Sequence, residues 1–364
     1  MKNTIGNSLT VTIYGESHGK AIGAVIDGIA SGIEVDEKFI SSCLERRRPK
    51  DATSTPRQEK DEFVINSGVM GGKTTGTPIC ITIPNADTHS SDYGAMQYKM
   101  RPSHADYTAY CRYNGFQDFR GGGHFSGRIT AALVAAAGLI IPALNKKGIY
   151  IGTHIKKIAG INDSDFTCDS DIIGISKKDF PVVDDAVANT MKDKIITAKK
   201  SGDSVGGVLE TAVIGIPAGV GEPWFDTVEG MLSHAIFSVP AVKGIEFGMG
   251  FGFADITGSE ANDQMYADGN KVKCYTNNNG GVIGGITNGM PIVFRCAVKP
   301  TPTIAKEQKT VDIRTMENST LAARGRHDPC IVHRAAVVVE SVTAIVIADM
   351  LSAKYGTDWL AKLD

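Results

Sequence analysis

The sequence predicts a layered α+β fold, and two observations carry that prediction. Six segments with β-branched content and two-residue alternation, and five with helical periodicity, run along the chain without alternating one for one. That order argues against a doubly wound parallel sheet. No Pro- or Ser-rich linker divides the 364 residues, so 1–364 reads as a single compact unit.

The elements follow in order. Residues 9–14 and 21–29 read as strands on either side of a glycine-bounded turn. Residues 36–48 read as a helix that Pro49 stops, because a residue before proline is pushed out of the α region. Strands are predicted at 63–69 and 78–84, then a helix over 128–145 and another over 184–200. A strand over 205–216, a helix over 223–237, a strand over 290–298 and a long helix over 334–355 complete the set. The connections 85–107 and 258–281 are long and polar, and loops of that length in a compact protein are usually functional or disordered.

Bulk properties narrow the function classes. Charged residues make up 21% with a formal net charge of −2, and aromatics only 7%, which counts against a polyanion- or nucleic-acid-binding protein. The start has no apolar run of signal-peptide length, and stretches such as AALVAAAGLIIPAL fall short of a membrane span and contain proline. Seven cysteines, scattered and without a C-x-x-C pair, fit reduced thiols rather than disulfides or a zinc site. The expectation is a cytoplasmic protein with neither membrane nor nucleic-acid partner and no metal.

Gly15-Glu16-Ser17-His18-Gly19 matches G-x-S-x-G, the pattern of a hydrolase nucleophile elbow. An elbow needs a strand before it, a helix after it and an oxyanion loop earlier in the chain. Here the first plausible strand precedes Ser17 and a second strand follows it, so a hairpin turn with a polar tip is the better reading. Arg46-Arg47-Arg48 ends the first helix, where basic residues either complement the helix C-terminus or form an anion site. The stretch 101–128 gathers Arg101, His104, Asp106, Arg112, Arg120, His124 and Arg128 around Gly121–Gly123, which lead into a helix. Glycines before a helix expose N–H groups to an anion, and the surrounding arginines and histidines favour such a ligand. Two further stretches, Lys299-Pro300-Thr301-Pro302-Thr303 and Arg326-His327-Asp328-Pro329-Cys330, add a lysine, two hydroxyls and a carboxylate.

Taken in series, GESHG, ERRRP, SGVMGGKTTGTPI, RPSHADYT, RGGGHFSGR, GDSVGG, VPAVKGIEFGMGF, GGVIGGITNG, KPTPTI and GRHDPC resemble chorismate synthase over roughly residues 4 to 350. The resemblance implies a sandwich of antiparallel β-sheets and helices assembled as a homotetramer. It implies a lyase that eliminates phosphate from 5-enolpyruvylshikimate 3-phosphate to give chorismate with reduced FMN, the last common step towards aromatic amino acids. NADPH would enter only if the enzyme reduces its own flavin. By position, His18 matches the histidine beside the flavin carbonyl edge, His104 the acid for the leaving phosphate, and Asp328 the carboxylate that helps flavin N5 act as base. Arg46, Arg47, Arg48, Thr53, Arg101 and Arg128 match the substrate edge. Ser17, His124, Phe125, Ser126, Pro240, Ala241, Gly284, Lys299, Pro300, Thr301, Pro302, Thr303 and Arg326 match flavin contacts. The usual G-R-S-S-A-R reads Gly123-His124-Phe125-Ser126-Gly127-Arg128 here; an arginine has become His124 and a serine Phe125, so charge and hydrogen bonding beside the flavin differ.

Overall fold

The computed structural model describes residues 2–55, 60–85, 97–322 and 327–362. The N-terminal third forms β1 (Thr4–Ile5), β2 (Thr10–Gly15), β3 (Ala21–Asp27), α1 (Glu37–Arg47), β4 (Val64–Ser67), the small pair β5 (Val69–Met70) and β6 (Lys73–Thr74), and β7 (Ile79–Pro84). Strands β1-β2-β3-β7-β4 make an antiparallel five-stranded sheet in that order. After α2 (Asp106–Arg112) and α3 (Thr130–Lys146) come β8 (Tyr150–Ile158), β9 (Ile161–Asn162), α4 (Asp169–Gly174), α5 (Asp185–Lys200), β10 (Gly207–Ile214), α6 (Val228–Ile236) and β11 (Val242–Phe247). Then follow α7 (Gly258–Ala261), the hairpins β12 (Met265–Asp268) with β13 (Lys271–Cys274) and β14 (Val282–Ile283) with β15 (Ile286–Thr287), and β16 (Ile292–Val298). A last hairpin, β17 (Gln308–Asp312) with β18 (Glu317–Leu321), precedes α8 (Val332–Tyr355). Strands β11-β16-β10-β8-β9 form the second antiparallel five-stranded sheet.

The layers run sheet, helix, helix, sheet. Helix α3 covers β2, β3 and β7, α8 covers β8 and β10, and the two helices pack on each other. One buried cluster runs through all four layers, from Leu9 and Ile81 through Leu139 and Ile345 to Phe294. This is the α+β sandwich of antiparallel sheets that the resemblance implied. Helix α1 also packs closely on α3, and for a reason in the sequence: a Cβ on Gly138 of α3 would sit 3.0 Å from Ile40 Cα of α1. Segments 127–146 and 332–355 are long and apolar enough to cross a membrane, yet 83% and 100% of their apolar windows are buried inside the protein.

Four buried polar side chains inside α8 find partners. Glu340 takes both ends of the Arg46 guanidinium at 2.8 Å each. Asp349 accepts the backbone N–H groups of Asn7, Ser8 and Leu9 at 2.7–3.0 Å, fixing the turn into β2 to the far end of the chain. Ser341 and Thr343 return hydrogen bonds to Val337 and Val339 one turn back.

Four local features differ from the sequence expectation. Strand β8, YIGTHIKKI, buries Thr153 and His154, which read as polar and hid the strand. Strand β11 (VKGIEF) was likewise not predicted, and its Gly244 sits at a register shift against β16. Helix α6 begins at Val228 rather than 223, because Thr227 caps it by accepting from Gly230 N–H at 2.9 Å. The connection 258–281 holds α7 and the β12–β13 hairpin, so it is structured; within 85–107, residues 86–96 lie outside those described.

Candidate active site

The site forms where the β2–β3 turn, the glycine run and the starts of α3 and α8 meet. The turn holding Ser17 and His18 is a hairpin, with Gly15 paired to Ile22, so no elbow exists and both side chains are buried. It is tied from two sides. Ser17 N–H donates to Gly123 O at 3.0 Å, and Asn85 Nδ2 donates to the carbonyls of Glu16 and Gly19 at 3.0 and 2.9 Å.

The glycine run explains its own composition. Gly121, Gly122 and Gly123 all have positive φ, at +59°, +85° and +54°. A Cβ on Gly121 would lie 2.4 Å from His18 Cδ2, and one on Gly122 would lie 3.2 Å from His104 Cε1. The run therefore passes between the two histidines, and a side chain there would expel one of them. Beyond it, His124 Nδ1 lies 2.7 Å from Gly15 O and so donates to it, Phe125 meets Tyr113 edge-on, and Ser126 caps the short turn leading into α3.

Guanidiniums and carboxylates interlock around this turn. Asp61, buried and with φ +51°, takes Arg47 on Oδ2 at 2.6 Å and Arg128 on Oδ1. Burial pushes the Asp61 carboxyl up, but the two guanidiniums outweigh it and hold its pKa below the ordinary value. Arg128 Nε also donates to Asn85 Oδ1 at 3.0 Å, which links the pair to the His18 turn. On the other side Arg334 Nε donates to Arg47 O at 2.8 Å while its Nη1 holds both oxygens of Asp328 at 2.9 Å. Asp328 Oδ1 also accepts Thr55 N–H at 2.9 Å.

Two adjoining cavities open onto these groups. The smaller, about 190 Å³, is walled by Arg47, Arg48, Arg128, Arg334 and Asp328. The larger, about 760 Å³, is walled by His104, His124, Phe125, Ala241, Lys299, Thr301, Pro302 and Thr303, with apolar Val11, Ile13 and Leu133. Ser126, Pro240 and Asp328 stand in both walls. Arg101 lines a small recess shared with His104.

Other predicted residues lie elsewhere. Arg46 is turned away by the helix to Glu340 on α8, and lines neither cavity. Thr53 is buried against Asp51, Pro300 packs beside Gly206, and Gly284 belongs to the β14–β15 hairpin; none is a wall residue. Ser17 and His18 touch Gly121, itself in the larger wall, without reaching that wall themselves. Arg326 lies outside the described residues. Sequence reasoning passed over Asp61, Asn85 and Arg334, isolated residues in no dense motif whose partners are remote in sequence. It noted Asp106 without giving it a role, although its spacing from His104 was visible.

The residues fit a bound flavin on a structural test of their own. Thr301 Oγ1 is buried in the cavity wall without a hydrogen-bond partner among the described residues, and it neighbours Lys299 and Thr303. A lysine beside a spare hydroxyl is a donor set for a phosphate. The volume of the larger cavity falls within the usual span of cofactor pockets.

Comparison with known proteins agrees with the motif series. The sequence model of the family described as chorismate synthase matches residues 9–352. A chorismate synthase of Aeropyrum pernix is 44% identical over 352 residues, covering 96% of this chain and 93% of its own. One from Thermococcus kodakarensis is 44% identical over 346 residues, covering 95% and 96%. A crystal structure of a chorismate synthase superposes with a TM-score of 0.76 at 31% identity, over 97% of this chain and 94% of that one. The chain belongs to the chorismate synthase family of lyases.

Proposed function

We propose that the protein eliminates phosphate from 5-enolpyruvylshikimate 3-phosphate to give chorismate, the last step of the shikimate pathway, with reduced FMN as cofactor. The observation that carries this reading is the shared wall: Asp328 borders both an arginine-lined cavity and a larger, partly apolar one. A substrate with a phosphate and two carboxylates suits the first, where Arg47, Arg48 and Arg128 would bind and orient it. Lys299, Thr301 and Thr303 would hold the flavin phosphate in the second, and His18 and Ser17 would fix the glycine run beside it. When bound, the reduced flavin supplies the electron-rich centre and the base that the side chains lack. His104, between Asp106 and the glycine run, would give a proton to the departing phosphate oxygen. Asp328, held still by Arg334 and Thr55, would keep a fixed negative charge at the junction of the two sites.

The test is anaerobic. Protein, 5-enolpyruvylshikimate 3-phosphate and chemically reduced FMN are mixed, and chorismate absorbance is followed with phosphate release. Product is expected with pre-reduced flavin; none from folded, flavin-bound protein would sink the proposal. A parallel mixture of oxidised FMN and NADPH decides whether the enzyme reduces its own flavin. We also propose a homotetramer in the cytoplasm. Exposed Trp224, Phe225 and Phe251 support association with further copies, and seven free cysteines support a reducing compartment.

A further inference from the structure

Asp106 opens α2 two residues after His104 and is saturated with donors. Arg101 donates Nη2–H to Oδ1 at 2.8 Å, and Nε–H and backbone N–H to Oδ2 at 2.8 and 3.0 Å. His104 Nδ1 lies 2.7 Å from Oδ1. The opposite edge of the imidazole faces the glycine run, where a Cβ on Gly122 would be 3.2 Å from Cε1 and 3.4 Å from Nε2. The turn that aims the ring is under tension: Ser103 has φ +58°, and Lys299 Nζ holds its carbonyl at 2.5 Å.

Two neighbours make opposite demands on Nδ1. Arg101 Nη2 approaches it at 3.2 Å and has only protons to give, so it asks for a bare Nδ1. The Asp106 carboxylate has only lone pairs, so it asks for Nδ1–H. The carboxylate is the closer by half an ångström and is charged, so its demand prevails.

We infer that Asp106 is a positioning residue that keeps the proton of neutral His104 on Nδ1 and so presents Nε2 to the cavity. The inference rests on the reading of His104 as proton donor. In that step the Nε2–H bond of the imidazolium breaks, an O–H bond forms on the departing phosphate, and the ring returns to the neutral Nδ1–H form that Asp106 favours. Without Asp106, Arg101 would draw the Nδ1 lone pair and the proton would settle on Nε2.

The experiment reads the tautomer directly. Histidines of the full-length enzyme are labelled with ¹⁵N, and the His104 signal is identified by its loss in His104→Gln. Above the imidazole titration, the wild type is expected to carry the proton on Nδ1. Asp106→Ala should move it to Nε2 and lower kcat at least about tenfold, part of the 10²–10⁴ that general acid–base catalysis is worth. Arg101→Ala should leave the tautomer as in the wild type. Asp106→Asn turns its amide oxygen to the two Arg101 donors that meet Oδ2 and its NH2 to Nδ1, so it too should move the proton to Nε2 and lower turnover, and it serves if Asp106→Ala fails to fold. The buried His154 signal, remote in the second sheet, reports that the fold is intact. A proton already on Nε2 in the wild type, or no change in Asp106→Ala, would overturn the inference. A tautomer that moves while turnover stays at the wild-type level would retain Asp106 in its role and remove His104 from the proton transfer.

Discussion

Three consecutive arginines show how much a single residue's surroundings decide. In sequence Arg46, Arg47 and Arg48 are alike; at the end of α1 and on its extended cap residue they diverge, to Glu340, to Asp61 and to Glu45. The motif was legible and the division of labour was not, since Asp61 and Glu340 announce nothing in the sequence. Asp61 should matter for stability first. Asp61→Ala leaves Arg47 and Arg128 buried without their counter-charge, a change that typically costs about 3–5 kcal/mol. Denaturant unfolding checks this, and a loss under about 1 kcal/mol would show that the pair is not buried in solution. His333 gives a second prediction. Burial, and then Arg334 beside it, push its pKa down to about 4, while Ser54 Oγ lies 2.8 Å from Nε2. Between about 6.5 and 4 the unfolded chain takes up a proton that the folded one refuses, so stability falls as pH drops through that window and levels off below it. The contribution is at most about 3 kcal/mol. The stability curve of His333→Leu should lack this slope, and parallel curves for the two proteins would remove His333 as its source.

At the scale of elements, alternation and periodicity located β2, β3, β7, β10 and β16 and the long helices, although α3, α8 and β10 are buried on nearly every side. Strand β8 failed that test for a physical reason. Its inward Thr153 is satisfied by Thr211 of β10 at 2.9 Å, and His154 by Asp163 and Glu210 at 2.8 and 3.1 Å. Partners that remote leave no local trace. The glycine run is the opposite case, since its composition signals a special backbone. Gly121→Ala is expected to disrupt the site, because its φ disfavours any side chain and the new Cβ meets His18 at 2.4 Å. Flavin titration and turnover should both fail, while far-UV circular dichroism stays close to wild type. Normal turnover would mean that the run does not set the position of His18.

On the scale of the whole molecule, the core runs unbroken through four layers, and Asp349 and Glu340 of α8 each bind a segment from the first fifty residues. We read residues 1–364 as a single folding unit on that basis. Backbone circular dichroism and near-ultraviolet signals should therefore lose their folded values together in one transition. Two separated steps would divide the sheets into independent units.

The interlocked charges of the smaller cavity have an electrical consequence. Among the described residues, four guanidiniums around it share three carboxylates, so much of their charge is offset within the cluster. To engage these guanidiniums a ligand must offer oxygens in the arrangement that the resident carboxylates already occupy. A pocket built in this way screens its visitors by shape and leaves bulk phosphate in the surrounding medium largely unheld.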